Sequence, residues 1–429
     1  MGGNMVFQGR ILKKYIQKKI IFLLLVNEDE RLRCIIKDRE HIKFEKTKEQ
    51  CKIGNIVCVE GDVQRGKDGR RELLAKQVNV VVETRLASFE TGILEESKFQ
   101  GVKARQYYHT MMLTDMDSIC YMKSRSAIIQ CIHAFFAEKD FCNLSTPVLQ
   151  HNFYAGGARP FVTHMLDSNC DMYLRITSEI AMKLLNVGGL SKIYEVGDYF
   201  RNGSVNEMHL VPFSALEAYQ AYISYEEMQN LANELLDRIS ESVSLVFQRY
   251  GKQNRLFLDG KIPECSFDEF IRQAGYPEFR MEDLETYPDV PELRDKSEDA
   301  VKNAKVLYKW MKETLIRKQK SPIWISDLPV GQSPLIKKKD EYRLFRKYLI
   351  VNGATLAEIT QSETNVDILR ENLELQQNDQ NHRYPHDYAP LFHAYSLGIP
   401  EVCSMFLSID RLYPAFAGKN SIQSYKMYI

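Results

Sequence analysis

Three side chains within one short segment, Arg201, Phe213 and Glu217, have the types and spacing to bind an anionic ligand that carries a flat ring. The planar guanidinium group of an arginine matches the oxygens of a phosphate or a carboxylate. A phenylalanine offers a face on which a purine stacks, and a glutamate accepts hydrogen bonds from an ammonium group. On spacing alone, three such residues on a hairpin are more often structural.

The elements that must position these side chains are a β-hairpin and a following helix, predicted for residues 191–228. Residues 193–197 are rich in strand formers, and the loop after them carries turn-forming and polar residues around Gly203. From residue 211 to 222 apolar and polar residues alternate with a period of two, which predicts a second strand. On that strand Phe213 and Glu217 share one face.

The complete string of this hairpin resembles the second signature motif of class II aminoacyl-tRNA synthetases, and it is nearest to the lysyl type. The matching residues are Phe200-Arg201, His209, Phe213 and Glu217-Ala218-Tyr219. The resemblance implies that Arg201 holds the α-phosphate of ATP and the attacking carboxylate, that Phe213 stacks on adenine, and that His209 lies near the pyrophosphate. Glu217 and Tyr219 would belong to the amino-acid site.

One position of this motif departs from the family pattern. Gly203 stands where the family has a glutamate that contacts adenine. The reaction that the resemblance implies is the activation of an amino acid by ATP. Such a step depends on positioning and on neutralisation of charge more than on covalent help from the protein.

The composition of the chain suits a protein of two domains with substantial cores, because 429 residues carry 44% apolar residues and a formal net charge of zero. Zero net charge argues against a generally basic, nucleic-acid-coating surface, although a local basic patch remains open. The nine cysteines show no CxxC and no Cys/His pair at zinc spacing, which indicates reduced core residues in a cytosolic protein.

Neither a signal peptide nor a membrane span is expected. The opening MGGNMVFQGR lacks an apolar segment, and the apolar run of residues 20–26 is too short to cross a bilayer. The sequence therefore favours a cytoplasmic location without membrane attachment.

Residues 6–82 predict a small β domain. Runs at 20–25, 32–36 and 56–60 have the length of strands, and five short strands suit a Greek-key barrel of the OB type. The pattern resembles the N-terminal anticodon-binding barrel of the aspartyl, asparaginyl and lysyl synthetases. The resemblance implies tRNA binding, with Phe22 at the base-stacking position and Arg33 where a base-reading glutamine is expected. Phe22 suits the core of the barrel equally well.

Two stretches in the middle of the chain resemble elements of the same family, a dimer contact and a substrate loop. Residues 124–136 predict an amphipathic helix, and with Pro147 they resemble the first class II motif, which builds a homodimer interface. Pro147 alone is as well explained by a strand end. The string GGARPF around Gly157 resembles the substrate loop of the lysyl subgroup. Glu179 either caps a helix or, by the resemblance, binds the α-ammonium group of the amino acid.

Residues 353–372 resemble the family stretch that supplies a carboxylate for Mg²⁺ and then a residue that selects the amino-acid side chain. Thr355 and Ser362 stand at those two positions. Glu358 and Glu363 lie close by and would take over as metal ligands, with Glu363 also in the amino-acid site. One or two carboxylates together with phosphate oxygens are the usual ligands of Mg²⁺.

Residues 403–412 resemble the third class II motif, in which Arg411 would bind the γ-phosphate of ATP. A structural Arg411 that pairs with a carboxylate is the alternative. Serines and Phe406 replace the glycines that precede the arginine in the family. The strand alternation predicts that Phe406 shares the serine face and points at the nucleotide.

The expected fold is α+β, with an N-terminal OB-type β-barrel followed by a class II synthetase antiparallel sheet flanked by helices. The expected domains are a barrel at 1–85, a linker at 86–115 and a catalytic domain at 116–429. The expected activity is the formation of an aminoacyl adenylate, with ATP and Mg²⁺ as cofactors and transfer to tRNA. Two alternatives are a relative that passes the adenylate to another amine, and a non-catalytic dimeric binding module.

Overall fold

The computed structural model describes residues 3–39, 43–66, 68–85, 109, 112–113, 115–152, 158–203, 209–254, 262–288, 300–331, 333–377, 387–419 and 422. The chain divides into two compact units. One comprises Met1–Lys123, Val246–Lys252 and Ser424–Ile429, and the other comprises Ser124–Leu245 and Gln253–Gln423.

The first unit contains a closed five-stranded barrel in the order β1-β2-β3-β5-β4. Its elements are β1 (Asn4–Gln17), β2 (Ile20–Val26), β3 (Arg31–Lys37), α1 (Phe44–Gln50), β4 (Ile56–Arg65) and β5 (Arg71–Val82). Alternate residues such as Ile21 and Leu23 fill the interior of the barrel. Closure leaves no free sheet edge, and the barrel predicted from the sequence is confirmed.

The second unit is built on an eight-stranded sheet in the order β12-β13-β14-β15-β16-β11-β10-β6 and a three-stranded sheet in the order β7-β9-β8. The strands are β6 (Cys142–Asn143), β7 (Leu149–Gln150), β8 (Val162–Met165), β9 (Cys170–Leu174), β10 (Lys192–Tyr199), β11 (Phe213–Ala221), β12 (Glu264–Ser266), β13 (Ile323–Ser326), β14 (Arg346–Val351), β15 (Ala354–Gln361) and β16 (Val402–Ser408). The six strands from β13 to β10 pair antiparallel, which confirms the predicted sheet.

Helices accompany the sheet. They are α2 (Met116–Glu138), α3 (Glu179–Val187), α4 (Tyr225–Arg249), α5 (Phe267–Gln273), α6 (Ala300–Thr314), α7 (Val366–Gln377), α8 (Ala389–Leu397) and α9 (Ile409–Ala417). The helix predicted for residues 124–136 starts earlier than expected, because Ile119 and Tyr121 are buried and extend its apolar face. Among the described helices, none combines the length and the hydropathy needed to cross a membrane.

The register of the central strands puts two rows of side chains on one face of the sheet. In one row Glu217 of β11 lies opposite Phe406 of β16, which lies opposite Glu358 of β15. In the next row the partners, strand by strand, are Tyr219, Ser404, Thr360 and Arg346. Because side chains alternate along a strand, both rows project to the same side of the sheet.

A buried ion pair stabilises β10 on this same face, since Glu195 lies opposite Glu217 in the strand register. Arg175 and Glu195 each have a side chain that is 3% exposed, with 2.5 Å between Arg175 Nη1 and Glu195 Oε1. The hydroxyl of Thr146 donates to Glu195 Oε2 at 2.7 Å, and Arg175 Nε donates to the carbonyl of Asp198 at 3.0 Å. The guanidinium group therefore fixes the end of β10 that leads to Arg201.

Gly197 of β10 leaves the space that Arg175 occupies, since a Cβ atom there would lie 2.2 Å from Arg175 Nη2. We expect Gly197→Ala to lower the free energy of unfolding by about 2–5 kcal/mol, because it must displace a buried paired charge. Urea denaturation measures this. Gly203→Ala is the matched control, because a Cβ atom there meets nothing within 4 Å. Equal urea midpoints for the two variants would contradict the prediction.

Candidate active site

A cavity of about 190 Å³ opens on the face of the sheet that carries the rows of Glu217 and Tyr219. Its walls come from the segment before α3, from the end of β10, and from β11, β14, β15 and β16. The lining includes six residues singled out in the sequence, Glu179, Arg201, Glu217, Tyr219, Glu358 and Phe406, and in addition Thr177, Arg346, Thr360 and Ser404. Residues separated by up to about half of the chain therefore meet in one place.

Glu217 is a buried carboxylate held by hydroxyl groups. Its side chain accepts hydrogen bonds from Thr177 Oγ1 at 2.9 Å, Ser178 Oγ at 2.8 Å and the Tyr219 hydroxyl at 3.3 Å, and the residue is 4% exposed. Burial raises the pKa of Glu217, although the two short hydrogen bonds oppose the shift. Within the described part of the chain, Glu217 forms no ion pair, so its charge is available to a cationic ligand.

Glu179 begins α3 and is a second of the three glutamates that line the cavity. A lysine one turn later, Lys183, is 1% exposed and places its Nζ 3.0 Å from Glu179 Oε1. The same Nζ donates to the carbonyl of Leu335 at 3.1 Å. Although desolvation opposes it, the charge of Glu179 raises the pKa of Lys183. The sequence analysis did not identify this buried lysine, which fixes the orientation of Glu179.

Arg201 follows β10 and reaches the cavity with its guanidinium group beside Phe213. Its Cζ atom lies 5.0 Å from the centre of the Phe213 ring, and that ring lies 5.8 Å from the ring of Tyr199. Desolvation inside the concave site lowers the pKa of Arg201, although the side chain keeps contact with solvent. The structure thus brings Arg201 and Glu217 into the cavity lining, with Phe213 stacked against the arginine.

Arg411 and His209 lie in a strongly positive region. Arg411 Nη1 donates to the carbonyl of Thr355 at 2.5 Å, and burial, with repulsion from Arg201, lowers the pKa of Arg411 to about 10. Desolvation, followed by the charges of Arg411 and Lys312, lowers the pKa of His209 to about 4. His209 is therefore neutral at neutral pH.

Lys312 on α6 belongs to the same positive region, and the sequence analysis did not single it out. Desolvation lowers the pKa of Lys312, and repulsion from Arg411, Arg346 and Arg201 lowers it further. These couplings place four cationic side chains within electrostatic reach of one another. A polyanion fits such a region.

Arg346, the first residue of β14, forms an ion pair across the sheet with Glu358 of β15. Arg346 Nη2 lies 2.8 Å from Glu358 Oε1, and the guanidinium Cζ lies 4.9 Å from the centre of the Tyr348 ring. The remaining guanidinium donors, Nε and Nη1, are buried and have no hydrogen-bond partner. The sequence analysis did not single out this arginine.

The two carboxylates expected to hold Mg²⁺ do not converge. Glu358 is paired with Arg346, whereas Glu363 is 5% exposed and accepts hydrogen bonds from the backbone N–H groups of Thr364 and Asn365, both at 2.9 Å, just before α7. Glu363 does not line the cavity. The described residues contain no group of three or more His, Cys, Asp or Glu side chains suited to a metal ion. The residues present therefore do not fit a protein-held Mg²⁺.

Phe406 lies on the cavity face of β16, as the strand alternation predicts. It is half-buried and lines the cavity with Ser404, while Met405 and Leu407 are 1% and 0% exposed. Ser404 Oγ lies 2.7 Å from Thr360 Oγ1. The aromatic ring thus occupies a place between the two carboxylates of its row.

Three further residues were candidates from the sequence: Gly157, Phe22 and Arg33. Gly157 is outside the described residues, as is most of the expected linker at 86–115. In the barrel, Phe22 is absent from the core and lies 6.2 Å, ring to ring, from Tyr15, which is 63% exposed. Arg33 forms ion pairs with Asp68 and, at 3.0 Å, with Glu72. The barrel therefore offers an aromatic surface, while its arginine is already paired.

Comparison with known proteins gives two family matches. Residues 101–428 match the family described as tRNA synthetases class II (D, K and N), and residues 5–81 match the OB-fold nucleic acid binding domain. A lysine–tRNA ligase of Dehalococcoides mccartyi is 27% identical over 97% of this chain and 84% of its own length. Lysine–tRNA ligases of Methanoculleus marisnigri and Fervidobacterium nodosum are each 29% identical, covering 98% and 81% of this chain and 84% and 68% of their own lengths.

The depressed pKa of His209 makes it a reporter of anions in the positive region. A bound polyphosphate offsets the charges of Arg411 and Lys312, so we expect tripolyphosphate to raise the pKa of His209 from about 4 towards the ordinary value of about 6.5. A raised pKa means that protonation and anion binding favour each other, so affinity increases as the pH falls through that window.

Titration of the imidazole C–H signals by NMR measures both values, and His209→Gln assigns the signal. A midpoint near 6.5 in the free protein, or one that tripolyphosphate leaves in place, would show that the positive charges do not act on His209.

Proposed function

Because the chain belongs to the class II tRNA synthetases of the aspartate, lysine and asparagine group, we propose that it joins lysine to tRNA through an aminoacyl adenylate. The observation that carries the choice of a cationic amino acid is Glu217, a buried carboxylate that borders the cavity and has no ion pair among the described residues. A buried charge of this kind is costly unless a counter-charge meets it, and the side-chain ammonium group of lysine supplies one.

The activation step transfers an adenylyl group to the amino acid. A carboxylate oxygen of the amino acid attacks the α-phosphorus of ATP, the bond from that phosphorus to the bridging oxygen of the β-phosphate breaks, and pyrophosphate leaves. In this proposal Arg201 offsets the negative charge that develops at the α-phosphate, and Arg411 binds the γ-phosphate. Preorganised cations that stabilise the charge of the transition state usually make the largest single contribution to the rate enhancement of such reactions.

The amino acid is held from its two ends. Glu217 and the Tyr219 hydroxyl receive the side-chain ammonium group, and Glu179 receives the α-ammonium group. Lys183 keeps the Glu179 carboxylate in place through the 3.0 Å contact. The carboxylate of the amino acid then lies against Arg201, within reach of the α-phosphorus. In the second step a terminal tRNA hydroxyl attacks the carbonyl carbon of the adenylate, and AMP leaves.

The partners and boundaries are proposals of the same kind. ATP enters as substrate, with any Mg²⁺ carried on its phosphates, because the part of the chain that the structure describes offers no carboxylate cluster for the metal. The barrel would bind tRNA through the exposed ring of Tyr15 beside Phe22. A barrel at 1–85, a linker at 86–115, a catalytic domain at 116–429, a homodimer and a cytoplasmic location complete the proposal.

The test is exchange of labelled pyrophosphate into ATP with a panel of amino acids, followed by charging of bulk tRNA. We expect lysine to give the highest exchange rate and to be transferred to tRNA. An acidic amino acid that outperforms lysine would overturn the role of Glu217. Exchange without tRNA charging would point to a different acceptor amine, and absence of exchange with every amino acid would leave a binding module.

Arg201→Ala is expected to lower the exchange rate by about 10²–10³-fold, because one charge-assisted donor to the transition state is lost. Circular dichroism should show the wild-type melting temperature. Arg370→Gln is the matched control, since it removes a positive charge from the exposed surface of α7, where Arg370 stacks on Phe392. Exchange at the wild-type rate in Arg201→Ala would remove Arg201 from the α-phosphate.

Phe406→Gly is expected to tighten ATP binding by up to about tenfold, because loss of the ring between Glu217 and Glu358 relieves crowding of the nucleotide. Isothermal titration of ATP against both proteins measures the change. A thermal melt confirms that the variant remains folded, since a glycine weakens a strand. Unchanged or weaker binding by the folded variant would assign Phe406 to packing of the cavity wall.

A further inference from the structure

Arg346 has the features of a ligand-binding residue, and the proposed reaction does not use it. It lines the cavity, and its side chain is 12% exposed. Its Nη2 atom lies 2.8 Å from Glu358 Oε1, and the flat face lies on Tyr348 with Cζ 4.9 Å from the ring centre. The guanidinium group is therefore oriented by two neighbours.

Two donor atoms of this group are unsatisfied. Arg346 Nε and Nη1 are buried and have no hydrogen-bond partner. A buried charged donor without an acceptor is costly, and a guanidinium N–H that meets a phosphate or carboxylate oxygen forms a strong, charge-assisted hydrogen bond. These two donors therefore call for an oxyanion, and the cavity that Arg346 lines is where one would enter.

The neighbouring charges favour a phosphate over a carboxylate as this oxyanion. Arg201, Arg411 and Lys312 all lie within electrostatic reach of the same region, and Lys312 is coupled to Arg346 directly. Three carboxylates line the same cavity: Glu358 is paired with Arg346, Glu179 is paired with a fifth cation, Lys183, and Glu217 accepts hydrogen bonds from hydroxyl groups. The excess of positive charge suits a polyphosphate, and a single carboxylate would leave most of it unbalanced.

The same ion pair opposes the role expected for Glu358 as a metal ligand. The guanidinium group at 2.8 Å occupies Glu358 Oε1 and offsets the negative charge that would attract a metal cation. Glu363, the second expected ligand, is engaged by two backbone N–H groups outside the cavity. The chain thus has a fixed positive charge at the place where a metal was expected.

We propose that Arg346 binds a phosphate group of the nucleotide directly, and that this guanidinium group takes the charge-neutralising role of a protein-held Mg²⁺, so that ATP binds to this chain without divalent metal. The inference rests on the proposed function in that the nucleotide is ATP. Arg346 would act together with Arg201 and Arg411, each from a different element of the second unit.

The experiment is isothermal titration of ATP into the full-length protein, once with Mg²⁺ and once with excess EDTA. For the wild type we expect dissociation constants that differ by less than about threefold between the two conditions. For Arg346→Gln we expect about 10- to 100-fold weaker binding in EDTA, which is the range for losing hydrogen bonds to a charged group. Arg370→Gln is the control for a generic loss of positive charge and should bind like the wild type.

Removal of Arg346 alone leaves the half-buried Glu358 without its partner and so threatens the fold. Arg346→Gln combined with Glu358→Gln removes both charges and keeps the test valid; we expect the same loss of affinity in EDTA. ATP binding by the wild type that EDTA abolishes would overturn the inference, as would wild-type affinity in the folded double variant. Absence of ATP binding by the wild type in both conditions would overturn the proposed function and the inference with it.

Discussion

The strand register around β16 is the constraint on which the candidate site depends. Backbone hydrogen bonds to β11 and β15 place Phe406 between Glu217 and Glu358, and they align the neighbouring row that ends at Arg346. A shift of one residue in either ladder would turn a whole row to the opposite face of the sheet. The charges of the cavity are therefore set by main-chain pairing, before any side chain finds its partner.

Three glutamates border the cavity, and each carboxylate has a different kind of partner. Glu179 is paired with a buried lysine, Glu358 with Arg346, and Glu217 with hydroxyl groups. Hydroxyl donors stabilise a carboxylate but do not cancel its charge. A ligand cation consequently gains most beside Glu217, while ligand anions gain most beside the arginines. In the proposed function, this asymmetry would orient an amino acid whose side chain is cationic and whose carboxylate must meet a phosphate.

Sequence patterns predicted the parts of this arrangement that depend on local order. The alternation of residues 211–222 identified β11, and the string around Arg201 identified the hairpin. Lys183 lies one turn after Glu179, so the pair itself was predictable. The second partner of Lys183 Nζ, the carbonyl of Leu335, comes from far along the chain and was not predictable. Lys312 is one of four lysines on α6, and nothing in the local sequence distinguishes it from the others. Its place in the site follows only from tertiary packing.

Glu358 and Glu363 show why nearness in sequence did not predict a shared site. They are an odd number of residues apart, so on one strand they would face opposite sides of the sheet. In the structure β15 ends at Gln361, and Glu363 passes to the start of α7. Arg346, distant in sequence, is instead a diagonal cross-strand neighbour of Glu358, a geometry in which long side chains meet. The ladder thus brings a permanent cation to Glu358 and takes the second carboxylate away, and both changes oppose a metal site at the same place.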